Sequence, residues 1–200
     1  MSAHSQERRN RWRALGASIA LSVLGASCAL PPGDVENQTH RYPNFGLEDS
    51  QPADMAVVPI RDLSDEGGAP VVTLRRELYQ GLVAKLYSPL DLDFVDVHWV
   101  EAGFAPEGLD SGGVLEVVIQ EWDTSLLGTH GSIRVSFRAE MLDGRRPGAE
   151  PLWGGHAKRR LELASDQVNL SGPALFDRAA EMVAQEILAL IPPRDPKSRP

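Results

Sequence analysis

The segment from Ile133 to Met141 alternates apolar and polar residues without interruption. A repeat of two residues matches the pleat of a β-strand, so this segment predicts a strand with one buried face and one wet face. Residues 153–163 alternate again, and Asp143-Gly144 predicts a turn before them. Residues 114–122 are β-branched and mostly apolar, which predicts a strand near the middle of the sheet. The three segments together predict an antiparallel meander that has a single apolar face.

Two other segments have the period of an amphipathic helix. Leucine recurs every fourth residue from Leu74 to Leu86, which predicts a helix that ends before Pro89. Apolar residues recur with helical spacing between positions 175 and 190, and Pro173 suits the first turn of that helix. Each helix therefore has one apolar stripe that must pack on something else.

Two more strands are predicted upstream of the meander. Residues 55–60 form a short apolar run, in which Pro59 belongs at a strand end or an edge because it has no amide N–H. Residues 94–100 alternate and are predicted as the second strand. The order β-α-β-β-β-β-α predicts an α/β (α+β) domain, with a mixed sheet of about five strands and two amphipathic helices on one face or on both.

The N-terminus has the order of an export signal. Four arginines precede an uncharged apolar stretch at 14–24, which is shorter than the ~20 residues of a membrane-spanning helix. Small residues then lead to Cys28, the single cysteine of the chain. This order resembles a bacterial lipoprotein signal peptide (residues 1–27) with its lipobox. The resemblance implies that Cys28 carries acyl chains, and Ala29 after it favours the outer membrane. The alternative is a free thiol, which is prone to oxidation.

The remaining chain divides by composition. Proline and glycine are frequent at 28–52, which predicts a flexible tether after the lipidated cysteine. Residues 53–192 are predicted to form a single globular domain, and 193–200 a disordered tail.

The charge of the chain restricts its partners. The whole sequence has a formal net charge of −8, and without residues 1–27 it has 16 basic and 27 acidic residues, or −11. Such a domain repels nucleic acid and anionic lipid surfaces, so no nucleic-acid partner is expected. We therefore expect membrane contact through the acyl chains on Cys28 alone.

Short patterns in the domain resemble a group of bacterial envelope lipoproteins. The opening strand MAVVPIRDLSD at 55–65 and the meander segment EMLDGRRPGAEPLWGG at 140–155 carry the resemblance. The group includes the curli-secretion lipoproteins, the lipoprotein activators of penicillin-binding proteins and related uncharacterised lipoproteins. The resemblance covers about 55–190 and implies the fold and a non-catalytic role in the envelope. It transfers no binding residues.

Catalytic and metal-binding patterns are weak. His98, His130 and His156 lie on different predicted elements and lack metal-ligand spacing, so we expect surface histidines and no metal. No phosphate-binding or dinucleotide-binding glycine motif is present, so we expect no cofactor. Asp123, Ser125 and His130 could form a hydrolase site, but no Gly-x-Ser-x-Gly elbow surrounds the serine. The sequence therefore predicts a protein that is not an enzyme.

The tryptophans Trp99, Trp122 and Trp153 allow two interpretations. Large aromatic residues are usually core, but an exposed group of them marks a partner surface. The predicted function is a lipid-anchored, periplasm-facing outer-membrane lipoprotein, a non-catalytic binding, assembly or regulatory component that contacts other envelope proteins. The alternative is a small-molecule or glycan-binding module, or a weak hydrolase, with a pocket near Trp122–His130.

Overall fold

A seven-stranded mixed sheet organises the chain. The computed structural model describes residues 37–42, 51–65, 67–146, 148–164, 170–195 and 197. Cys28 and the predicted signal peptide lie outside the described residues. The strands are β1 (Gln38–Arg41), β2 (Asp54–Val57), β3 (Arg61–Asp62), β4 (Ser88–Pro89), β5 (Gly113–Asp123), β6 (Ser132–Asp143) and β7 (Trp153–Glu162). The helices are α1 (Val71–Ala84), α2 (Leu92–Glu101), α3 (Leu127–His130) and α4 (Pro173–Leu190), with a 3-10 turn at Pro106–Leu109.

The strand order is β1-β7-β6-β5-β2-β4, and β3 also pairs with β5. The strands β5, β6 and β7 form the predicted antiparallel meander, in which Phe137 lies opposite Ile119 on one side and Ala157 on the other. The strand β2 runs parallel to β5, so the sheet is mixed. The predicted mixed α+β fold class is confirmed, with more strands than expected.

The helices α1 and α4 cover one face of the sheet. Their buried residues, among them Leu78 and Ala180, join the inward-facing residues of the meander in the larger core. The two helices approach closely at Gly81, where a Cβ atom would overlap the side chain of Leu188. Pro173 stands in the first turn of α4, as the sequence predicted. None of the helices in the described part of the chain is long and apolar enough to span a membrane.

The predicted strand at 94–100 is wrong, because these residues belong to α2. The carboxylate of Asp91 accepts hydrogen bonds from the backbone N–H groups of Asp93 and Phe94, which caps the helix. Val95 and Trp99 are one helical turn apart, and both are buried in a second, smaller core. That core lies on the sheet face opposite α1 and α4, with Val58 and Val114 as members. Helices therefore lie on both faces of the sheet.

The ordered sheet also extends into the predicted tether. That prediction is wrong for residues 38–41, which form β1 and pair antiparallel with β7 from Gln38–Lys158 to Arg41–Gly155. A side chain at Gly155 would place its Cβ atom 2.7 Å from the carbonyl oxygen of His40, so glycine permits this pairing. In the predicted tail, the backbone N–H of Arg194 donates to the carbonyl oxygen of Lys85 at 2.9 Å.

Candidate functional site

A cavity of about 680 Å³ opens between α2 and the sheet. It lies where β2 ends at Val57 and the chain passes through Pro59 before β3 begins at Arg61. Pro59 has no N–H to continue the ladder, so the strand is interrupted there. Apolar side chains form most of the walls, among them Val58, Ile60, Trp99, Val100 and Phe104. Clefts near the carboxyl ends of parallel strands are frequent ligand sites in sheets of this kind.

Arg75 is the buried charged residue in this wall. Its Nε donates to the carbonyl oxygen of Val57 at 2.8 Å, and its Nη1 donates to Oδ1 of Asp96 at 2.6 Å. The guanidinium thereby joins α1, the end of β2 and α2. Its Nη2 is buried and has no hydrogen-bond partner among the described residues. An N–H group in that state favours any acceptor that comes within reach.

A second ion pair lies at the rim of the cavity. Nη2 of Arg61 and Oε2 of Glu116 are 3.7 Å apart, and the arginine is largely exposed. Exposed pairs of this kind contribute about 0–1 kcal/mol to stability. The two arginines and their two carboxylates leave the cavity without net charge.

Apolar surface continues from the cavity onto the outside of α2. Phe94, Val97 and Val100 follow one another at intervals of three residues, so they share one side of the helix. Together with Phe104 they are 44–64% exposed. Phe104 has a φ of 63° and follows Gly103, also at 63°. A bulky residue rarely adopts this conformation, and such strain concentrates at functional sites.

The three tryptophans that were considered as a partner surface are core residues. Trp99, Trp122 and Trp153 are only 3–8% exposed. Trp99 belongs to the smaller core and to the cavity wall, whereas the other two belong to the larger core under α1 and α4. Trp122 and Trp153 are enclosed in the larger core, whereas Trp99 lines the cavity.

The three histidines stay apart on α2, α3 and β7. His98 stacks on Phe94 with ring centroids 3.8 Å apart, and His156 stacks on His40 across the β1–β7 pair at 5.0 Å. Within the described ranges, no three His, Cys, Asp or Glu side chains come together in a group that could hold a metal ion.

The alternative hydrolase residues have other partners. Asp123 accepts hydrogen bonds from the backbone of Ser125 at 2.8 Å and from Nε of Arg134 at 3.0 Å. Hydrogen bonds from Ser125, and then from Arg134, lower the pKa of Asp123 to about 2. Nδ1 of His130 contacts Oγ1 of Thr129 at 2.8 Å. The cavity reaches Glu116 and Val117 on β5, several residues before Trp122, so it does not lie where the alternative pocket was predicted.

The sequence interpretation missed Arg75, Val100 and Phe104. Arg75 lies off the leucine line of α1, and its buried contacts depend on the end of β2 and on α2. A usable signal was present in the sequence Asp91-x-Asp93, which is typical of a helix start, and in Gly103 after the last turn.

No protein-family model matches the sequence, and no curated protein matches it. Among solved structures, a PelC dodecamer from Paraburkholderia phytofirmans that carries a single substitution has a TM-score of 0.51 and 14% identity, and the alignment covers 79% of this chain and 99% of that chain. A second PelC dodecamer from the same organism has a TM-score of 0.50 and 14% identity, and the alignment covers 80% of this chain and 99% of that chain. The lipoprotein GNA1162 from Neisseria meningitidis has a TM-score of 0.47 and 22% identity, and the alignment covers 69% of this chain and 99% of that chain. At these identities, the likeness to PelC concerns the fold.

Proposed function

We propose that this chain is a lipid-anchored lipoprotein on the periplasmic face of the outer membrane. There it acts as a non-catalytic binding, assembly or regulatory component and works through contacts with other envelope proteins. The observation that carries the proposal is the exposed apolar surface of Phe94, Val97, Val100 and Phe104, of which Val100 and Phe104 also line the cavity. We call these four residues the α2 surface.

The α2 surface has the properties of a protein contact site. Large apolar side chains that are exposed together usually mark an interaction surface. A cavity beside them can accept an anchoring side chain, and such anchors carry much of the binding energy at interfaces. Arg75 donates both to Asp96 and to the backbone carbonyl oxygen of Val57 on β2, so this ion pair has a structural role.

The anchoring half of the proposal rests on the sequence. The order of arginines, apolar stretch and small residues before Cys28 fits a lipoprotein signal. Each buried methylene of an acyl chain contributes about 0.8 kcal/mol, so several chains hold a protein stably at a membrane. PelC, which shares the fold, forms a dodecamer. That assembly supports a role in which domains of this kind act through protein contacts.

A small-molecule binding module is the second candidate. The volume of about 680 Å³ is within the range of ligand pockets, which favours this reading. A small ligand inside the cavity, however, leaves Val97 and Phe94 uncovered on the outside of α2. The protein-contact proposal accounts for both the cavity and the exposed side chains.

Metabolic labelling with an alkyne fatty acid tests the anchor. We expect label on the wild-type chain and in its membrane fraction, since Cys28 is the only cysteine. Cys28→Ser removes the acceptor thiol, so the label disappears and the protein is either uncleaved or released in soluble form. Ser27→Ala keeps a small residue before the cysteine and serves as the matched control, which retains the label. A wild-type chain without label contradicts the anchoring proposal.

A further inference from the structure

The ion pair of Arg75 and Asp96 indicates which charges the cavity disfavours. Asp96 already compensates the charge of this guanidinium at 2.6 Å. A second carboxylate beside Arg75 would therefore face Asp96 and be repelled by it. An uncharged group in the cavity avoids that repulsion.

The walls indicate that the rest of the occupant is apolar. Val58, Ile60 and Trp99 offer hydrophobic contacts inside the cavity, and Val100 and Phe104 stand at its mouth. The apolar surface then continues along α2 to Val97 and Phe94. An occupant that covers both regions is longer than a ligand confined to the cavity, and an extended or helical peptide segment fits this description.

The charges around the α2 surface favour a basic partner. Asp93, Asp96 and Glu101 lie on the same helix, and the carboxylate of Asp96 is half-exposed. Arg61 and Arg75, the cations that line the cavity, face Glu116 and Asp96. The whole chain has a net charge of −8. Lys or Arg residues near the anchor of a partner would complement this rim.

We infer that the cavity receives one large apolar side chain from a peptide segment of a partner protein, and that Lys or Arg residues flank this side chain in the segment. The flanking cations face Asp93, Asp96 and Glu101 on α2. The inference rests on the proposed function, because it specifies which chemistry the envelope partner presents to this site.

Peptide selection on the full chain tests the inference. A phage library of random twelve-residue peptides is panned against the immobilised protein, and the best peptide is synthesised with a fluorophore for anisotropy titration. We expect the selected sequences to share an aromatic residue or Leu with Lys or Arg within a few positions. Changing those flanking cations to Glu in the synthetic peptide is expected to abolish measurable binding.

Two matched variants locate the site. Val100 and Val83 are 63% and 51% exposed, but Val83 lies on α1, on the other side of the sheet. Val100→Lys places a cation at the cavity mouth and is expected to weaken peptide binding at least about tenfold. Val83→Lys is expected to change it less than about twofold.

Several outcomes overturn the inference. These are a selection without any enriched sequence, enrichment of Asp and Glu, and equal effects of Val100→Lys and Val83→Lys. The Cys28→Ser full chain is also mixed with phosphatidylethanolamine–phosphatidylglycerol vesicles. If it binds them and Val100→Lys abolishes that binding, the surface contacts a membrane instead. If the protein self-associates and Val100→Lys abolishes the self-association, the α2 surface binds a second copy of this chain. None of these results changes the fatty-acid labelling or excludes protein contacts elsewhere, so the proposed function can survive the failure of this inference.

Discussion

Phe137→Ala is expected to lower the free energy of unfolding by about 3–5 kcal/mol. Phe137 is fully buried at the centre of β6, between Ile119 on β5 and Ala157 on β7. The substitution removes an aromatic ring from the larger core, and the surrounding sheet and helices cannot collapse fully into the cavity left behind. Urea unfolding followed by circular dichroism measures the change.

Val97→Ala is the control for this prediction. Val97 is apolar but exposed on α2, so the substitution is expected to change stability by less than about 0.5 kcal/mol. A loss below about 1 kcal/mol for Phe137→Ala would contradict the placement of Phe137 at the centre of the core.

Arg75→Met is expected to destabilise the fold by about 1.5–3 kcal/mol. The substitution keeps an apolar stem in the wall of the cavity but leaves the carbonyl oxygen of Val57 without its donor and Asp96 without its partner. Both contacts hold α2 and the end of β2 to α1. The loss of stability is therefore expected as a lower urea concentration at the unfolding midpoint and as faster amide hydrogen exchange in α2.

Asp96→Asn separates the two contacts of Arg75. The amide oxygen can still accept from Nη1, and the half-exposed carboxylate contributes little as a charge, so the loss is expected to be under about 1 kcal/mol. If Asp96→Asn costs as much as Arg75→Met, the ion pair and not the bond to the backbone of β2 holds the cavity wall.

The sequence was sufficient to predict the elements with long patterns. The strands β6 and β7 follow from alternation, β5 from a run of β-branched and apolar residues, and α1 and α4 from apolar residues that recur every three or four positions. Each pattern extends over nine or more residues. Residues 94–100 span only seven positions, in which Val95, Val97 and Trp99 fit a strand, whereas Val95 and Trp99 alone fit one face of a helix. The hydrogen bonds from the backbone N–H groups of Asp93 and Phe94 to the Asp91 side chain cap the segment and stabilise it as a helix.

The rest of the candidate site depends on contacts between distant segments. The strand β1 has the polar sequence QTHR and forms because β7 offers a partner edge at Gly155. The cavity exists because α2 covers the face opposite α1, while the strand ladder stops near Pro59. The buried position of Arg75 follows from both facts, and no local pattern around it indicates this.

Site-specific photo-crosslinking in living cells tests the central claim most directly. A photoreactive amino acid is placed at Val100 or at Val83 of the full chain, and the crosslinked peptides are sequenced by mass spectrometry. If the α2 surface is a docking site, the photoreactive residue at position 100 crosslinks to one protein, within a segment that has a large apolar residue flanked by Lys or Arg. The same residue at position 83 does not form this crosslink. Equal capture from both positions, or capture of lipid alone at position 100, would contradict it.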